Sequence, residues 1–172
     1  MMKTVCLVCL LALLLSGCAA PVWETVEDVS PAVEAAAWQE DTYTIQLGLP
    51  EGAALLEEAG GCRLYGTGDG SLEILTETFL ASGLDSAVRH LSGLSAEDLT
   101  ILRTQRFSLP EYQFVWYAQS EEGGWLCRAD LVLDGLDCYA VVCRSREAGG
   151  NGLDDAIRQV FSSFGLFRDE GV

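Results

Sequence analysis

The sequence predicts an α+β domain in which an antiparallel sheet of about six or seven strands is covered by helices on both faces, an α/β/α sandwich. Three observations predict it. Apolar segments with strand-like patterning recur between turn-forming clusters. Four such segments between Thr100 and Arg144 follow one another with no helix between them, which makes a meander. An amphipathic helix then closes the chain with an apolar stripe that needs a sheet to lie on. With 172 residues, 49% of them hydrophobic, the chain has enough apolar mass for one core.

In chain order, the first segment is an export signal. Lys3 is a positive n-region, Val5 to Leu15 an apolar h-region, and Ser16-Gly17 a small-residue end. The apolar run is about half of the roughly 20 residues that a spanning helix needs. Leu15-Ser16-Gly17-Cys18 resembles the lipobox of bacterial lipoproteins: a branched apolar residue, two small residues and a cysteine. The resemblance implies that the Cys18 thiol takes a diacylglycerol and that cleavage falls between Gly17 and Cys18. Residues 1–17 are then a lipoprotein signal peptide, and the protein is held to the extracytoplasmic face of the cell membrane by lipid. Cys6 and Cys9 lie in the h-region and count only as apolar residues.

Residues 18–40 read as a lipidated N-terminus and an acidic tether, with Pro21, Pro31, an alanine run and no sustained periodicity. Fully extended, this stretch reaches on the order of 70 Å. Trp23 and Trp38 are unusual in a linker; they dock at the membrane interface or on the domain, or Pro31 to Gln39 is a short helix.

The globular domain is expected over residues 41–168, with a tail at 169–172. Its opening strand alternates Tyr43, Ile45, Leu47 and Leu49 against Thr42, Thr44, Gln46 and Gly48, and Pro50 closes it. Strands at Cys62 to Tyr65 and Leu72 to Phe79 flank Gly66-Thr67-Gly68-Asp69-Gly70, a hairpin loop. That loop lacks the following helix and the lysine of a phosphate cradle. A helix from about Asp85 to Leu91 turns Leu84, Val88 and Leu91 to one side, and Ser95-Ala96-Glu97-Asp98 resembles an N-cap opening a short turn.

The meander strands are expected at about Thr100 to Phe107, Tyr112 to Gln119, Trp125 to Leu133 and Leu136 to Arg144. Their connections are Pro110-Glu111, Glu121 to Gly124, and Asp134-Gly135, the last read as a two-residue hairpin turn. That turn sets Cys127 opposite Val142 and Cys143 opposite Leu126. It leaves no pair among Cys127, Cys138 and Cys143 able to bridge; Cys62 bonds to one of them, or all four are unpaired and buried. The final helix, about Leu153 to Phe164, carries Leu153, Ile157, Val160, Phe161 and Phe164 on one face, with Asn151 as N-cap.

Over about Asp41 to Arg168 this pattern resembles the fold of the PsbP proteins of the photosystem oxygen-evolving complex and the Mog family of Ran-binding factors. The likeness rests on Tyr43-Thr44-Ile45-Gln46-Leu47-Gly48-Leu49-Pro50, a mid-chain helix followed by a meander, and a last helix ending Ser162-Ser163-Phe164-Gly165-Leu166. The Gly-Trp that often follows the first proline is replaced by Glu51-Gly52-Ala53. The resemblance implies a non-enzymatic docking or accessory module.

Composition narrows the partners. All 26 acidic residues follow Cys18, whereas Lys3 leaves with the signal, so nine arginines face 26 carboxylates in the mature chain. Such a field repels nucleic acid and attracts cationic peptides or divalent ions. No cofactor motif is present, and no cofactor or metal site is expected. A single histidine, His90, rules out sites built from several histidines, and Asp69, Asp130, Asp134 and Asp137 do not form a twelve-residue calcium loop.

Arg128 and Asp130 interrupt an apolar strand on one face; they pair with each other, face solvent, or form a polar spot on a binding face. Trp116, Tyr117, Trp125 and Tyr139 lie on neighbouring strands and are expected in the core; several of them uncovered would mark a partner surface. The expected role is a lipid-anchored envelope module, without catalytic residues, for a protein or peptide partner. An envelope enzyme with a dispersed active site, and a carrier of a small ligand or cation, are the alternatives.

Overall fold

A computed structural model describes residues 43–120, 123–146 and 151–168; Gly17, Cys18, Trp23, Trp38 and the tail at 169–172 lie outside the described residues. The strands are β1 (Tyr43–Gln46), β2 (Ala53–Ala59), β3 (Cys62–Thr67), β4 (Leu72–Leu80), β5 (Ile101–Arg106), β6 (Leu109–Ser120), β7 (Gly123–Asp134), β8 (Asp137–Arg146) and β9 (Gly165–Arg168). The helices are α1 (Leu84–Ser92), a 3-10 turn at Ala96–Asp98, and α2 (Asn151–Ser163). Seven strands form one antiparallel sheet in the order β2-β3-β4-β8-β7-β6-β5, and β1 pairs with β9 in a separate two-stranded ribbon.

The sheet buries apolar side chains on both faces. On one face Phe114, Trp116, Cys127, Ala129, Leu131, Cys138, Ala140 and Val142 pack against Ala87 and Val88 of α1. On the other, Leu72, Ile74, Val132, Tyr139, Val141 and Cys143 meet Ile157 and Val160 of α2 and Phe164 just after it. The α2 stripe thus docks as its spacing predicts. Asp85 ties α1 to the 3-10 turn by accepting from the Ala96 backbone N–H at 2.9 Å and from Ser95 Oγ at 3.0 Å.

One helix packs on each face, too little to cover the sheet as the sequence suggests. A 13-residue helix is about 20 Å long and 10 Å wide, while seven strands spaced by about 4.8 Å span about 29 Å. On the α2 face the helix lies over the middle strands, and the β1–β9 ribbon takes another part, with Tyr43 and Ile45 in the same core. Tyr43 N–H donates to Tyr139 Oη at 3.1 Å, and Gly48 N–H to Ser163 Oγ at 2.8 Å, fixing the ribbon segment to β8 and to the end of α2. The strand expected to open the sheet is therefore this ribbon. Strands β2 and β9 have no counterpart in the sequence reading.

Two turns sit elsewhere than expected. The β7–β8 turn is Gly135-Leu136, closed by Asp134 opposite Asp137. Gly135 has φ 63 at the first central position, the place glycine takes in a II′ turn, so Asp134 stays in the strand. Cys127 then faces Arg144 and Cys143 faces Arg128 rather than Val142 and Leu126. The partner moves by two residues, so each cysteine keeps its predicted face. All four described cysteines, Cys62, Cys127, Cys138 and Cys143, are free, and the last three are buried. The β5–β6 turn is Phe107-Ser108 rather than Pro110-Glu111, with both residues at positive φ, 54 and 68. Pro110 lies inside β6 opposite Gln105; β7 pairing starts only at Glu111, so the missing proline N–H removes no ladder bond on that side.

Candidate functional site

Alternation along β5, β6 and β7 sends Leu102, Thr104 and Arg106, then Glu111, Gln113, Val115 and Tyr117, then Arg128 and Asp130, to the α2 face. Because α2 lies over the middle of the sheet, this end is left open as a groove of about 730 Å³ between α2 and β5–β7. Leu102, Val115, Ile157 and Phe161 give it apolar walls; Arg106, Gln113, Arg128, Asp154 and Arg158 give it polar points. Leu102 and Val115 are 58% and 49% exposed, high for apolar side chains on a sheet. A smaller recess of about 220 Å³, sharing Arg128 and Asp154 with the groove, extends past Tyr117.

Beside the groove is a buried polar cluster. Arg106 spans it: Nε donates to Glu111 Oε1 at 2.6 Å, Nη2 to Asp130 Oδ2 at 3.1 Å, and Nη1 to the Phe164 carbonyl at 3.0 Å. Its guanidinium also lies 5.1 Å from the centre of the Phe164 ring. Thr104 Oγ1 donates to Glu111, and Gln113 Nε2 to Asp130 Oδ2 at 3.2 Å. Glu111 is 5% exposed and Asp130 is 0% exposed.

The two acids are pushed apart in strength. Burial, followed by the nearby Glu111 charge, raises Asp130 to about 7 against the pull of Arg106. Glu111 also feels burial, but bonds from Thr104 and Arg106 outweigh it and hold its carboxyl below the ordinary range. Asp130 Oδ1 has no hydrogen-bond partner.

The structure separates the residues that the sequence placed together. Arg128 and Asp130 share a face but do not pair: Arg128 Nη2 reaches Asp154 of α2 at 2.8 Å, and Asp130 takes Arg106. Trp116 and Tyr139 are buried and Trp125 is half-buried, whereas Tyr117 is 50% exposed. A Cβ on Gly124 would fall 1.4 Å from Tyr117 Oη, so the ring lies where only glycine leaves room. His90 stacks on Phe79 at 4.1 Å, with Nε2 2.9 Å from Glu77 Oε1, a half-exposed packing position. Asp69 organises the β3–β4 turn by accepting from Thr67 Oγ1, Ser71 N–H and Ser71 Oγ, which hold its carboxyl at about 2. Gly17 and Cys18 lie outside the described residues. Arg106 and Glu111 are the site residues that the sequence reading did not single out; the signal available was Asp130, a charge in an apolar strand.

Among the described residues no helix is long and apolar enough to cross a membrane, and no group of three His, Cys, Asp or Glu side chains is placed to hold a metal ion.

No protein-family model matches the chain, and no curated protein matches it. Solved structures do. A Bacteroides thetaiotaomicron protein aligns with a TM-score of 0.53 at 11% identity, over 74% of this chain and 47% of its own, so this chain spans about half the length of that protein. Cyanobacterial PsbP (CyanoP) from Synechocystis aligns with a TM-score of 0.51 at 9% identity, over 80% of this chain and 99% of its own. LpqN of Mycobacterium tuberculosis, described as involved in cell envelope biogenesis, aligns with a TM-score of 0.49 at 11% identity, over 76% and 87%. At these identities the likeness is one of fold: the chain has a PsbP-like fold, which among the described residues is an antiparallel seven-stranded sheet with two α-helices.

Proposed function

We propose that this protein is a lipid-anchored docking module on the extracytoplasmic face of the cell envelope, without catalytic activity, which holds an extended protein or peptide segment in the groove between α2 and β5–β7. The observation that carries the reading is the groove itself: half-exposed Leu102 and Val115 on a sheet face, beside the outermost strand β5. Among the described residues no strand pairs with the outer edge of β5. An extended segment placed there gains main-chain hydrogen bonds from the edge and apolar contact from the groove. The lipobox-like Leu15-Ser16-Gly17-Cys18 supports the anchor, and the acidic composition supports a partner other than nucleic acid.

A photo-reactive amino acid at Val115 in whole cells tests it. The reading expects one discrete crosslinked polypeptide from Val115 and none from a matched probe at Glu97, near the other face. Equal capture from both positions, or none from either Val115 or Leu102, contradicts it. The groove's volume also lies in the range of small-ligand sites, which supports a second reading as a small-ligand carrier. Native mass spectrometry of protein taken from cells would then show a bound small mass lost on Val115→Arg substitution.

A further inference from the structure

Arg106 is shared by two carboxylates that the fold keeps from water, and it also links the sheet to the carbonyl of Phe164, the residue that follows α2. One cation facing two buried anions leaves a net buried charge, which is costly in a dry interior. The cost is localised at Asp130 Oδ1, a buried oxygen with no donor. A carboxylate oxygen there accepts nothing, whereas a carboxylic acid at the same place becomes a donor and needs only an acceptor. The neighbouring carboxylate on the same guanidinium is Glu111.

We propose that Glu111 and Asp130 hold one proton between them, and that this proton makes Arg106 a pH-sensitive clasp between the edge of the sheet and the end of α2. With the proton in place, Glu111 carries the charge that pairs with Arg106, and Asp130 donates to it. Once the proton leaves, the second buried charge is relieved by admitting water, which means opening the contact between β5–β7 and α2.

Around the pair, from β5 come Thr104 and Arg106, and from β6 Gln113 beside Glu111. On β7, Arg128 is already paired with Asp154 of α2, and Arg158 of α2 is paired with Asp155. Asp134 ends β7 at the turn, and β8 places uncharged Val141 opposite Asp130 and Cys143 opposite Arg128. No second cation reaches Asp130 among these groups.

Burial raises Asp130 in the folded state. The folded state keeps a proton that the unfolded chain releases, so Asp130's contribution is full below the ordinary carboxyl range and is lost as pH rises to about 7; above that it is flat. The test is urea unfolding of the full-length chain from pH 5 to pH 8, wild type against Asp130→Asn. Asparagine keeps the donor toward Glu111 and cannot ionise. The wild-type midpoint should fall relative to that of Asp130→Asn as pH rises from 5 to about 7 and then run parallel to it. Curves parallel over the whole range overturn the proposal. Should Asp130→Asn fail to fold, the Asp130 carboxyl carbon resonance of the wild type decides: titration near neutral pH, with the Phe164 and Arg106 signals moving alongside it, supports the clasp, and a midpoint below pH 5 overturns it.

Discussion

The side chain that ties the most together is Arg106, whose three donor nitrogens reach β6, β7 and the end of α2. Removing it strands two buried carboxyls. Arg106→Ala is expected to cost about 3–5 kcal/mol in urea unfolding, as for other broken buried pairs. Arg106→Lys is expected to recover only part of that, because an ammonium cannot present the same fork. The cysteines make a second residue-scale prediction. Burial pushes the Cys143 thiol up to about 12 and Cys138 to about 11, and it also raises Cys127. Cys62 is raised as well but only half-buried. Peptide mapping after brief alkylation of the native chain should find Cys62 modified well before the other three, and modification of Cys143 first would contradict the packing. How much of this was legible follows from sequence distance. Asp130 announced itself as a charge among apolar neighbours, but its partner lies 24 positions away across two turns, and no local pattern links Arg106 to it.

At the scale of elements, periodicity found what has a buried face. α2, β4, β7 and β8 were readable because each turns large apolar residues to a core. Ala53–Ala59 was not readable as β2: it is an edge strand of alanine, leucine and glutamate with exposed side chains, so nothing in its pattern reports pairing. Four-residue β9 is too short to show alternation. Turn position was misread for a physical reason, since glycine serves at either central position of a two-residue loop and only the backbone decides which. Phe107-Ser108 is the converse case, two side-chain-bearing residues held at positive φ. Replacing them by Asn-Gly should raise stability by about 0.5–1 kcal/mol, checked by the urea midpoint. An unchanged or lowered midpoint would mean that Phe107 contributes a contact beyond the turn.

The molecule as a whole pairs a PsbP-like sheet with incomplete cover, and the uncovered end is where the groove and the Arg106 cluster meet. Sequence reasoning gave the sheet and its two-sided burial but not the opening, because cover depends on the width of a helix against the width of the sheet, and no residue pattern encodes that difference. Anchor and groove are tested together by photo-crosslinking from Val115 on intact cells, comparing the natural chain with its Cys18→Ala form at equal abundance. A lipid-anchored docking module gives a single crosslinked partner whose yield falls severalfold when Cys18 is replaced. A yield indifferent to Cys18, or the same set of products from a probe placed on the α1 face, would contradict it.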